Sequence, residues 1–174
     1  MSKDPTDPTD PRGPAFELGK FLPFMLNQVA EAVSKSFQIR YQQEFGLSRT
    51  QWRILAHLYA QDGLTAKEIG ARIHEDKVSI SRGVAALEAN GRLVRHPGQR
   101  DRRFEALHLT ADGRALFARL TLRAHAFERD LAQALGLEAT KDLRRALEVL
   151  LPLLANGQLD DISAGVTAPG KPNI

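Results

Sequence analysis

The sequence predicts a mainly α-helical protein with one small β-hairpin. Three observations lead there. Apolar residues recur every three to four positions through most of the chain. The helix-start patterns Ser48-Arg49-Thr50-Gln51 and Thr65-Ala66-Lys67-Glu68 each open a periodic stretch. Only residues 93–109 break the helical period, with two short extended runs around a Pro-Gly pair.

Phe21, Met25, Val29, Val33, Phe37, Tyr41 and Phe45 recur every four residues and, with Leu18 and Leu22, form one broad stripe. They predict a long first helix, closed by Gly46 in the left-handed position. Ser48 opens a second helix with Trp52, Leu55, Leu58 and Tyr59 on its apolar side, ended by Gly63. Thr65 opens a short third helix to Ile73, with Leu64 and Ile69 spaced as a hydrophobic staple. The turn His74-Glu75-Asp76 leads into a fourth helix capped by Asp76. There Ile80, Val84 and Leu87 face inward, Lys77, Ser79, Ser81 and Arg82 lie on another face, and Asn90-Gly91 is the stop.

Leu93 to His96 and Phe104 to Leu109 read as the two strands of a hairpin, with Pro97-Gly98-Gln99-Arg100-Asp101 as its turn. Leu107 and Leu109 alternate with Ala106 and His108, which predicts one buried face. Thr110 caps a fifth helix with the stripe Leu116, Phe117, Leu120, Ala124, Phe127 and Leu131, ended by Gly136. Thr140 is the expected cap of a sixth, with Leu143, Leu147, Leu150, Leu151 and Leu154 apolar. Pro152 inside that pattern should kink or weaken it. Residues 1–14 and 157–174 are rich in Pro, Gly, Ser, Thr and Asp and read as a disordered arm and a flexible tail.

Composition removes several function classes. The chain has no cysteine, so disulfides, thiolate metal sites and thiol redox switches are excluded. No apolar run approaches the roughly 18 residues of a membrane span, and no export signal opens the chain, so a cytoplasmic location is expected. His57, His74, His96, His108 and His125 show no pairing at i and i+4. His125 and Glu128 alone share a face, short of the three or four ligands a metal needs. No Gly-rich phosphate loop, nucleophile elbow or paired carboxylate points to an enzyme, and no cofactor is expected.

Charge points elsewhere. The net charge is +3, yet residues 92–103 alone hold Arg92, Arg95, Arg100, Arg102 and Arg103 against Asp101. That segment carries +4 and leaves −1 for the rest, the concentration expected of a nucleic-acid contact. The element order supplies the context. Two helices joined by a short turn make a helix-turn-helix, whose second helix enters the DNA major groove, and a basic hairpin after it is a wing. Lys77, Ser79, Ser81 and Arg82 are therefore candidate base or phosphate contacts. Arg82 has the fork that reads guanine edges, and Arg95, Arg100 and Arg102 suit phosphates. A solvated helix face and a solubilising loop tip are the plain alternatives.

The same residues resemble a known family. Asp76-Lys77-Val78-Ser79-Ile80-Ser81-Arg82-Gly83-Val84-Ala85-Ala86-Leu87 is similar to the recognition helix of MarR-type regulators. Asp101-Arg102-Arg103 through Leu109-Thr110-Ala111-Asp112-Gly113 resembles their D-x-R…L-T-x-x-G wing signature, and Gln51-Trp52-Arg53-Ile54-Leu55 the start of their second helix. The resemblance covers roughly residues 18–156. It implies a homodimer built by the first, fifth and sixth helices, a palindromic operator, and commonly a small-molecule inducer. It also implies that Arg103 enters the minor groove, oriented by Asp101. Trp52 reads as core, while Tyr41 and His57 fit either packing or a ligand.

The expected organisation is an arm at 1–14, a dimerisation helix at 15–46, a winged helix-turn-helix lobe at 47–110, dimerisation helices at 111–156 and a tail at 157–174. The expected function is sequence-specific regulation of transcription, as a repressor on double-stranded DNA released by a ligand, without membrane or metal. The competing readings are a winged-helix protein-interaction module and a non-specific architectural DNA-binding protein.

Overall fold

The computed structural model describes residues 16–97 and 105–156. A 3-10 turn at Leu18–Lys20 leads into α1 (Leu22–Phe45), α2 (Arg49–Ala60), β1 (Leu64–Thr65), α3 (Ala66–Ile73) and α4 (Lys77–Ala89). Strands β2 (Leu93–Pro97) and β3 (Glu105–Leu109) follow, then α5 (Ala111–Leu135) and α6 (Leu137–Ala155). The described residues form two compact units, divided after Ala124 within α5.

Local chemistry sets the helix starts. Ser48 and Thr65 each accept a hydrogen bond from the backbone three residues on, while the side chains of Gln51 and Glu68 reach back to the cap nitrogens. Each such cap is worth about 1 kcal/mol. Asp76 caps α4 by accepting from the backbone N–H groups of Val78 and Ser79 at 2.8 and 2.9 Å. Gly46 ends α1 in the left-handed conformation. His74 ends α3 in the same region at φ 53°, an uncommon backbone for a residue with a Cβ.

The first unit has one core. Ile54, Leu55 and Leu58 of α2, Ile69 and Ile73 of α3, Ile80, Val84 and Leu87 of α4, and Phe117 and Leu120 of α5 are buried together. Burying a Leu or Ile contributes about 2 kcal/mol, whereas an exposed ion pair gives roughly 0–1, so packing holds this unit. From α1 only Tyr41 is buried, with Phe37 and Phe45 packed beside it. Its N-terminal half leaves Phe21, Leu22, Met25 and Val29 exposed. Trp52 is core, as its helix face suggests: it stacks on Phe117 at 5.8 Å and meets Phe37 edge-on at 5.4 Å.

The hairpin belongs to a three-stranded antiparallel sheet in the order β1-β3-β2. Leu64 pairs with Leu107 and Thr65 with Ala106, so the residue expected only to staple α3 also builds a strand. As the central strand, β3 buries Ala106 as well as Leu107 and Leu109, and the expected alternation is only partial.

Two joints tie α5 to this sheet and to α4. The Asp62 carboxylate accepts from Leu109 N–H at 3.1 Å and from Arg114 at 2.7 Å. The Thr110 hydroxyl donates to Gly91 O at 2.7 Å and accepts from Gly113 N–H at 3.0 Å. There the first turn of α5 passes so close to Arg92 that a Cβ on Gly113 would lie 1.9 Å from the Arg92 carbonyl oxygen.

In the second unit α6 starts at Leu137 after Gly136, one turn before the expected cap Thr140. The Thr140 hydroxyl instead donates back to the Gly136 carbonyl at 2.8 Å inside the helix. Leu137, Glu138 and Ala139 are good helix formers, so the helix nucleates at the glycine turn. It runs through Pro152 to Ala155 and buries none of its own residues; Leu143, Leu147, Leu151 and Leu154 are exposed.

Gly113→Ala should cost about 3 kcal/mol or more in chemical denaturation, since backbone must move. Gly83→Ala should cost far less, because its Cβ would meet chiefly the flexible tip of Ile54 at 2.8 Å; equal losses would reject the close crossing. Acid should loosen the start of α4. Hydrogen bonds from the Ser79 side chain and backbone hold Asp76 below its ordinary value. The stabilisation this gives is present above the unfolded-state pKa, about 3.9, and lost as pH falls through the lower folded value. Amide exchange of Val78 and Ser79 should accelerate below pH about 4, and Asp76→Asn should flatten that dependence.

Candidate nucleic-acid interface

Helices α3 and α4 meet across a turn of three residues. Its tightness comes from Gly70, where a Cβ would lie 3.3 Å from Ile80 and 3.4 Å from the Glu75 carbonyl, and from the hydrogen bond of Glu75 N–H to Gly70 O. Thr50 donates to the Glu75 carboxylate at 3.2 Å and Arg53 sits 3.7 Å from it, which fixes the turn on α2.

At about 100° per residue, α4 divides cleanly. Ile80, Gly83, Val84 and Leu87 are buried, and Gly83 lets α2 approach at Thr50 and Ile54. Opposite them Val78, Ser81, Arg82 and Ala85 form one exposed arc, with Lys77 at its edge and also exposed. Neither Lys77 nor Arg82 has an ion pair among the described residues. Of the predicted residues, Lys77, Ser81 and Arg82 thus share the outward side. Ser79 is half-buried, and its hydroxyl is held by the second Asp76 oxygen at 2.6 Å. Val78, 57% exposed, was not among the candidates. Its place opposite the buried stripe, on the arc of Arg82, was the available signal.

The sheet carries the hairpin beside α4. Leu93 pairs with Leu109, Arg95 with Leu107 and Pro97 with Glu105. Arg95 donates through Nε to Glu88 of α4 at 2.9 Å and through Nη1 to Glu105 at 2.8 Å. The Glu105 bond, opposed by burial and aided by Glu88, holds its guanidinium above the ordinary range. Neither acid was anticipated, because the contact depends on strand register. Arg92 lies 3.8 Å from Asp112. Arg100, Asp101, Arg102 and Arg103 lie outside the described residues.

Tyr41 is pushed up by burial, with Arg49 and Arg53 opposing. His57 is pushed down by burial and by Arg72 and Arg53. Tyr41 belongs to the buried core, and His57 is half-buried. Among the described residues no cluster of three metal-ligating side chains forms, and no helix is long and apolar enough to cross a membrane.

Comparison with known proteins agrees with this geometry. Residues 45–103 match the MarR family. The transcriptional activatory protein BadR of Rhodopseudomonas palustris is 28% identical over 159 residues, 87% of each chain. The HTH-type transcriptional regulator YwoH of Bacillus subtilis is 26% identical over 66% of this chain and 82% of its own. In fold, the chain is similar to a MarR/EmrR family regulator from Acinetobacter (TM-score 0.69, 23% identity, 81% and 99% covered). It is likewise similar to apo MarR of Escherichia coli (TM-score 0.68, 20% identity, 75% and 97% covered). These relatives are named as transcription regulators. The helix-turn-helix with its sheet, the matched segment and the relatives make this chain similar to winged-helix transcription regulators of the MarR family.

Proposed function

We propose that the protein binds a palindromic operator as a homodimer and represses transcription until a small-molecule ligand releases it. The observation that carries this reading is the two-sided α4. One side is locked into the core, while Lys77, Val78, Ser81 and Arg82 stand exposed on or beside the other. Arg82 has the geometry to bond guanine O6 and N7, Val78 to meet a thymine methyl, and Lys77 and Ser81 to hold phosphate. Ser79 contributes by fixing the helix start through Asp76. Arg100, Arg102 and Arg103, with Asp101 orienting Arg103, supply the minor-groove and phosphate contacts of the wing.

A second copy of the chain is the occupant proposed for the exposed stripes. Leu143, Leu147, Leu151 and Leu154 in one unit, and Phe21, Leu22, Met25 and Val29 in the other, are too apolar to remain bare. A dimer would set two α4 helices about 34 Å apart, one turn of DNA. A ligand that favours another separation would shift the population away from the bound form.

One observation favours a second direction of control. The relative from R. palustris is named an activatory protein, so the operator's position relative to the promoter decides between repression and activation.

The test is binding to the intergenic DNA upstream of the protein's own gene, against scrambled DNA, across a salt series. One dimer per site with strong sequence preference is expected. Equal binding to both DNAs would instead make the protein architectural, and no binding at low salt would favour a protein-interaction module. Arg82→Ala and Arg103→Ala should each weaken operator binding by about 1–3 kcal/mol with the dimer intact; unchanged affinity would remove that residue from the interface. Leu147→Glu should abolish the dimer in sedimentation, and a folded dimeric variant would place the interface elsewhere.

A further inference from the structure

We infer that Arg95 is a positioning residue, which clips the base of the wing to the recognition helix instead of holding a DNA phosphate. The inference rests on the DNA-binding reading above and deepens it.

Three elements meet at this side chain. Arg95 lies on β2, Glu88 on the last turns of α4, and Glu105 at the start of β3. The guanidinium gives Nε to Glu88 at 2.9 Å and Nη1 to Glu105 at 2.8 Å, so both acids are engaged at once through different nitrogens. Strand alternation directs it there. Leu93 and Arg95 share one side of β2, and Leu93 is buried, so Arg95 points toward α4. Its partner Leu107 is buried on the same side, and Glu105 is the next residue along that side of β3. With two carboxylates on one guanidinium, the group carries a net negative charge and would repel a phosphate.

The hairpin needs such a tie. At the Pro97–Glu105 pair only β2 and β3 face each other, and a two-stranded ribbon is marginal by itself. β1 supports β3 only at Ala106 and Leu107, short of the Pro97–Glu105 pair. The planar, forked guanidinium can span both acids in a fixed geometry, which the single nitrogen of a lysine cannot.

That difference supplies the test. Operator binding is measured across a salt series for the wild-type dimer, Arg95→Lys, Arg95→Gln, Arg103→Ala and Arg95→Gln/Arg103→Ala, with melting temperatures alongside. Clipping predicts that Arg95→Lys, although it keeps the charge, loses about tenfold in affinity at an unchanged melting temperature. It also predicts that Arg95→Gln has less than about a twofold effect once Arg103 is gone. Arg95→Lys binding like the wild type would overturn the proposal. So would Arg95→Gln lowering the salt slope by about one with an effect that adds in full to that of Arg103→Ala. The contact itself is read in the free protein from the Arg95 Nε proton by NMR. It should be protected in the wild type and lost in Glu88→Gln. An unprotected proton overturns the clip whatever the DNA results. A protected proton in a protein that does not prefer its operator overturns the DNA-binding reading and, with it, the positioning role.

Discussion

The first turn of α5 crosses the turn after α4 at a distance that only a glycine permits, and much of the first unit depends on that crossing. Gly113 lies against the Arg92 carbonyl, and Thr110 bonds to both sides of the joint. A neighbouring tie through Asp62 adds the end of β3 and Arg114. The turn that follows α4 therefore meets the first turn of α5 backbone against backbone. Close-packed backbone of this kind leaves little room for the start of α5 to move independently of the turn after α4.

The core and the exposed arc of α4 divide the labour of one short helix. Its buried side is fixed by Ile80, Val84 and Leu87 and by the glycine against α2. Its start is fixed by Asp76, whose two oxygens are both occupied by the first turn. What remains outward is small or long and flexible: Ser81, Ala85, Val78, Arg82 and Lys77. In the proposed complex such a surface would let DNA come close while the charged tips adapt.

Features set by neighbouring residues were legible in the sequence. Both capping boxes, the Asp76 cap, the Gly46 stop and the inward stripe of α4 need only a local pattern, and each stands as the pattern predicts. Features set by distant partners were not. Two residues have no period, so β1 exists only because β3 offers it a ladder. Thr140 looked like a cap, but its hydroxyl bonds backward because the chain already turns at Gly136. Among the candidate contacts, exposure of Lys77, Ser81 and Arg82 followed from helical spacing. The occupied state of Arg95 required the register that brings Glu105 to its side. Counting arginines along the chain measured charge before neutralisation, and Glu88 and Glu105 lie outside the stretch that was counted.

The outer strands of the sheet have a consequence for colloidal behaviour. A protruding hairpin normally exposes a row of unpaired backbone groups on which another molecule can add a strand. Here one border of the sheet, β1, is two residues long, and the other, β2, ends in Pro97, which has no N–H to offer. Both borders are poor templates. The described sheet is thus built to resist the edge-to-edge stacking that turns exposed strands into aggregates.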